Sequence, residues 1–173
     1  MVKQEISQRK ASVLETDDNR RDGGTIALSS SHSTQVSLDK VKYGKAGLNK
    51  HRQSLLDKVP EQNQWARFEL GSLEMEDLAY LTAKTGDEFT ILRSKKDDIL
   101  YHGTPTRCDV LKDEDLEPLV MSHKYEVIGH SHPAELFPDP SADDRQFLRY
   151  IGQKRSKLIS GMTGICIEFE EIL

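Results

Sequence analysis

The chain has 173 residues, 36% hydrophobic and 31% charged, and 29 acidic against 24 basic side chains leave a net charge of -5. That length holds one domain with its own core plus an extension. The acidic balance argues against nucleic-acid and anionic-membrane partners, and no apolar run approaches the ~20 residues that span a bilayer.

The first ten residues, MVKQEISQRK, lack the apolar stretch of a signal peptide. The two cysteines, Cys108 and Cys166, are too few for a disulfide framework or a cysteine zinc cluster. The expectation is a cytoplasmic protein with reduced thiols. No internal repeat is visible.

Residues 1–60 differ from the rest. The stretch DDNRRDGGTIALSSSHSTQVS is rich in Ser, Gly and Asp and has no sustained apolar period, so residues 1–64 read as a flexible or partner-dependent extension. Within it, LNKHRQSLLDKV predicts a short helix stopped by Pro60. That helix would dock either on the domain or on a protein partner.

The domain is expected over 65–173, starting near Trp65. GSLEMEDLAYLTAKTG reads as a helix, with Ser72 as N-cap, acids in the first turn and Gly86 at the C-terminal stop. Met75, Leu78 and Leu81 have the spacing of its buried face. DEFTILRS and DILYHGT read as a hairpin around a polar KKDD turn, and YEVIGHSH as a further strand. SADDRQFLRYIG predicts a second helix with Phe147, Leu148 and Ile151 on its apolar side. SKLIS and GICIEF read as a closing strand pair, with Ile165, Ile167 and Phe169 on one face. The order helix, hairpin, strand, helix, strands is that of an α+β domain.

The stretch GHSHPAELFPDPSADD carries the chemistry. Residues i and i+2 of a strand point the same way, so His130 and His132 present two imidazoles on one face, as two ligands of a tetrahedral zinc site require. A proline-bearing loop then leads to Ser141 and to a helix whose first turn holds Asp144. A carboxylate there can return as a third ligand, and three protein ligands plus water is the catalytic rather than the closed pattern. The same residues also read as a cap, since Ser141-x-x-Asp144 has capping-box spacing. Capping and ligation are compatible.

A zinc hydrolase also needs a general base. Glu126 shares strand parity with the histidines but stands roughly 13 Å from His130 along the strand. Glu135 lies in the loop and stays a candidate. Glu88 opens the first hairpin strand, where an adjacent strand can bring it to the site. His102 and His123 read as ordinary core or surface histidines, the cysteines as small partly buried side chains, and QKRSK (153–157) as a solvated helix end.

HSHP followed by PSADD resembles the JAMM motif of the JAB/MPN metalloproteases: H-x-H-P, a short loop, then S-x-x-D, with a glutamate upstream. The resemblance covers roughly residues 70–170. It implies an MPN/JAMM-like, cytidine-deaminase-like mixed sheet flanked by helices. Matched position by position, His130, His132 and Asp144 correspond to the zinc ligands, Ser141 to the serine that helps hold the oxyanion, and Glu88 to the catalytic glutamate.

Three features depart from that pattern. The loop 133–140 has eight residues, one more than the commonest spacing, Glu88 lacks a glycine-rich continuation, and Asp143 sits beside Asp144. The SADDRQFLRYIGQKRS run also resembles JAMM-like domains attached to bacterial and phage proteins. The implied activity is zinc-dependent cleavage of a peptide or isopeptide bond in a protein or peptide substrate. The reading beside it is a non-catalytic MPN-like binding module with the N-terminal residues as an assembly arm. An amidohydrolase barrel, at ~250 residues, does not fit this length.

Overall fold

The computed structural model describes residues 50–171, so what the sequence predicts for residues 1–49 lies outside the described residues. The elements are α1 (Lys50–Asp57), β1 (Gln64–Glu69), α2 (Met75–Thr85), β2 (Phe89–Arg93), β3 (Asp97–His102), α3 (Leu116–Met121), β4 (Glu126–His132), α4 (Ala142–Ile151), β5 (Arg155–Ser160) and β6 (Cys166–Glu170). A 3-10 turn, Val110–Lys112, precedes α3. The strands form one six-stranded sheet in the order β1-β3-β2-β4-β5-β6. Every pairing is antiparallel except β4 with β5, which α4 joins as a crossover. The fold is α+β, a mixed sheet flanked by helices.

Two apolar clusters cover the two faces. On one, Leu78, Ala79, Tyr80 and Leu81 of α2 pack with Phe89, Ile91, Leu100 and Ile159, and Leu55 of α1 joins them. The first helix therefore docks on the domain, and the packed chain reaches N-terminal of Trp65. On the other face, Val120 of α3 and Leu148 and Ile151 of α4 pack on Leu92, Ile99, Tyr101, Val127, Leu158 and Phe169. Among the described residues no helix is long and apolar enough to cross a membrane.

One irregularity sets the site. The β2–β4 register pairs Ile91 with Gly129 and Leu92 with Val127, so Ile128 is an extra residue, a bulge. Val127 packs in the α3–α4 cluster and Ile128 against the α2 cluster. A Cβ on Gly129 would lie 2.6 Å from Met75 Sδ, placing that position on the α2 side as well. His130 and His132 thus return to the α4 side, which they share with Val127 and not with Glu126. The parity expected for Glu126 fails because the bulge inserts one residue between them.

Three local expectations are corrected. Ser72 does not cap α2: its N–H closes a turn to Glu69 O, and Glu74 caps instead in a reciprocal box with Asp77. The hairpin turn is Ser94–Lys96, and Asp97 and Asp98 are strand residues. Asp98 is fully buried because Arg93 donates to it from Nε at 2.7 Å, while Leu73 N–H donates at 3.2 Å. Ile165 precedes β6 and is 37% exposed, while Phe169 is buried. Finally, β1 and α3 carry too little apolar periodicity to be read. β1 is an edge strand with only part-buried and exposed positions, and α3 is six residues long with Pro118 in its first turn.

Candidate metal centre

β4 ends at the site. Thr90 lies opposite His130 across the β2–β4 ladder, so Glu88, two residues earlier on the same face, comes level with His132. Gly129 lets β4 lie close to α2 and β5, for a Cβ there would also meet Lys157 O at 2.8 Å. After His132 the loop 133–140 folds back, held by Ser160 Oγ donating to Glu135 O and Thr163 Oγ donating to Leu136 O at 2.5 and 2.7 Å. It delivers Ser141 as the N-cap of α4. Ser141 Oγ accepts from Asp144 N–H at 3.0 Å, and Ser141 N–H donates to Asp144 Oδ2 at 2.9 Å. The cap and the third acid are one device, because the box that starts the helix also orients the Asp144 carboxylate.

His130, His132 and Asp144 each offer a donor atom, all within 4.8 Å of one another. His130 Nε2 is 3.1 Å from Asp144 Oδ1, and His132 Nε2 is 3.3 Å from Asp144 Oδ2. The two imidazole rings meet edge-on at 5.0 Å, and Phe169 stands edge-on to His130 at 5.9 Å. His130 Nε2 is buried and makes no hydrogen bond, since its approach to Asp144 is close but misaligned. A buried, unsatisfied nitrogen aimed at a carboxylate and a second imidazole fits a bound cation. Two nitrogens and one carboxylate oxygen are the donor set of a catalytic zinc site.

The electrostatics agree with this grouping. Burial alone would raise the Asp144 carboxyl, but the two imidazole edges and the Ser141 N–H hold it well below the usual carboxylate range. Burial pushes Glu88 up to about 7 against the pull of His132, and Asp144 and Glu135 add to the rise. Glu88 is 7% exposed and lines the same cleft, of about 910 Å³, as the three donors and Ser141. A carboxyl poised near neutrality by desolvation is suited to proton transfer.

The remaining expected residues fall as follows. Glu135 is committed to His132, its Oε1 3.0 Å from Nδ1, and also accepts from Asp139 N–H at 3.0 Å. Asp143 lines the cleft but lies outside the triad and is exposed. His102 is a core histidine, 2.7 Å from Asp87 Oδ2, 2.6 Å from Pro60 O, and stacked on Phe89. His123 donates from Nε2 to Ile151 O at 2.9 Å. Cys108 lines the cleft, its thiol pushed up by burial, and Cys166 is exposed.

Two neighbours were not read from sequence: Arg107, whose charge bears on Glu88, and Phe169 as the wall beside His130. The pairing of Glu135 with His132 had a usable signal, since a turn brings residues i and i+3 together. Scans against protein-family models, curated proteins and solved structures each return no match to this chain.

Proposed function

We propose that the protein is a zinc-dependent hydrolase of the JAMM (JAB/MPN) type that cleaves a peptide or isopeptide bond. On this reading the sheet is the MPN, cytidine-deaminase-like arrangement. The observation that carries it is the convergence of His130 Nε2, buried and without a hydrogen bond, with His132 and Asp144 in a cleft whose wall holds the buried Glu88. The spacing H-x-H-P…S-x-x-D supports the same reading.

His130, His132 and Asp144 would hold the zinc. Bound there, the ion supplies Lewis acidity that lowers the pKa of water and polarises a carbonyl. Glu88 takes a proton from the attacking water and delivers it to the departing amine, a relay that a carboxyl near neutrality performs in both directions. Ser141 Oγ uses an acceptor lone pair in the cap, so its O–H remains to donate to the developing oxyanion. Val127, Leu148 and Phe169 give the cleft an apolar wall that limits water.

The test is metal content of the full chain purified with zinc, read by mass spectrometry. About one zinc per chain is expected, lost in His130→Ala and Asp144→Ala. Glu88→Gln should keep the metal and lose cleavage of peptide and isopeptide-linked substrates. A wild-type chain that takes up no zinc would leave a non-catalytic binding module in its place.

A further inference from the structure

His132 is held from both sides. Its Nε2 faces Asp144 Oδ2 at 3.3 Å, and its Nδ1 lies 3.0 Å from Glu135 Oε1. That carboxylate oxygen is not free to drift, since Asp139 N–H donates to it at 3.0 Å. The backbone around it is fixed too: Ser160 Oγ donates to Glu135 O at 2.5 Å, and Gly161 N–H donates to His132 O at 2.9 Å. Strand β4, the loop 133–140 and the end of β5 therefore lock one carboxylate oxygen against one ring nitrogen.

We propose that Glu135 is a positioning residue for the metal centre. By accepting Nδ1–H it fixes the tautomer and the ring angle of His132, so that the Nε2 lone pair faces the site. The inference rests on the reading of His130, His132 and Asp144 as metal ligands. It goes beyond that reading by assigning the loop glutamate a partner's role rather than that of a base. A histidine ligand that donates its other ring N–H to a carboxylate is held in orientation and made more basic, and loss of such a partner costs ~10–100-fold in metal affinity. Glu135 meets the Nδ1 edge of the ring, whereas the Nε2 edge is the one that faces Asp144, so the carboxylate stands behind His132 rather than beside the donor cluster. Glu88 has no such engagement and lies on the cleft wall.

The experiment compares zinc affinity, by competition with a chromophoric chelator, for wild type, Glu135→Ala, Glu135→Gln and Asp143→Asn. Urea unfolding of each metal-free variant reports whether the fold is kept. Glu135→Ala should weaken zinc by ~10–100-fold. Glu135→Gln keeps an acceptor oxygen at the same reach and should lose clearly less. Asp143→Asn removes a charge from the same cleft without touching a ligand and should change little.

In the zinc-loaded wild type, proton–nitrogen NMR should show a His132 Nδ1–H protected from exchange, and that signal should disappear in Glu135→Ala. Equal losses for Glu135→Ala, Glu135→Gln and Asp143→Asn would reduce the effect to charge alone and overturn the proposal. So would wild-type affinity in Glu135→Ala. If Glu135→Ala does not fold, Glu135→Met, which fills the same space without an accepting oxygen, takes its place, and wild-type affinity with the Nδ1–H signal intact in that variant overturns the proposal. Failure of the wild type itself to bind zinc sinks the metal reading, an outcome distinct from all of these.

Discussion

His132 stands between two carboxylates, Nε2 3.3 Å from Asp144 Oδ2 and Nδ1 3.0 Å from Glu135 Oε1. Burial would favour the neutral ring, but hydrogen bonds to Asp144 and Glu135 overcome it and push His132 up to about 9. Without metal, the ring is therefore a protonated bridge near neutral pH.

Zinc binding must displace that proton. Calorimetry at pH 7 in two buffers of different ionisation enthalpy should show release of about one proton per zinc. Affinity should climb as pH rises toward 9, where the ring deprotonates by itself. Asp144, already held ionised, adds no proton to the count. Binding that releases no proton would contradict the pairing of His132 with its two acids.

The metal-free protein should be most stable in mildly acid solution. Asp144 is held below its ordinary 3.8, so its contribution is present above that value and fades on acidification. Glu88 is raised from 4.5 to about 7, so over that interval the folded state holds a proton that the unfolded chain has released, and stability falls as pH rises. His132 is raised from 6.5 to about 9, so its contribution is complete below 6.5 and is lost as pH climbs through 9. Urea unfolding in chelator should give its highest free energy at about pH 5 and lose on the order of 6 kcal/mol by pH 9, about half from each group. Glu88→Gln should remove the part of the fall below pH 7. A flat profile would count against both assignments.

Ser141 does two jobs that substitution can separate. Ser141→Ala loses the cap acceptor and should cost ~1 kcal/mol of stability together with cleavage. Ser141→Asp keeps a good capping oxygen but has no O–H to donate, so it should unfold like wild type and still fail to cleave. Full cleavage by Ser141→Asp would remove the serine from the chemistry and leave it a cap.

Gly129 allows the close approach that sets the histidines. In Gly129→Ala the new methyl meets Met75 Sδ at 2.6 Å and the backbone oxygen of Lys157 at 2.8 Å. The thioether can move, whereas the carbonyl belongs to the adjacent parallel strand and cannot. A loss of ~1–3 kcal/mol is expected from the overpacking, read by urea unfolding. Unchanged stability would show that β4 and β5 have slack at this point.

The local parts of the molecule were legible in the residues. Helix α4 announces itself by Ser141, its two first-turn acids and Gly152, and α2 by Leu78, Leu81 and Gly86, because caps and apolar spacing act within a few residues. The limits of that reading are also physical. Ser72 resembled a cap, yet Glu74 takes the role, since the turn to Glu69 and the bond from Leu73 to Asp98 delay the helix. Strand β1 escaped notice because an edge strand buries too little to need an alternating pattern.

By itself, the sequence determined the pieces of the site: two histidines two apart, a cap whose N3 residue is an acid, and a loop between them. Those are short-range facts, set by side-chain direction along a strand and by the first turn of a helix. Only the tertiary structure decided which face the histidines use, because the bulge at Ile128 depends on β2. It alone brought Glu88, just ahead of β2 and some forty residues away, level with His132 and buried it, and it turned Glu135 from a candidate base into the partner of His132. Pairing register and burial are properties of the assembled sheet, and no local stretch contains them.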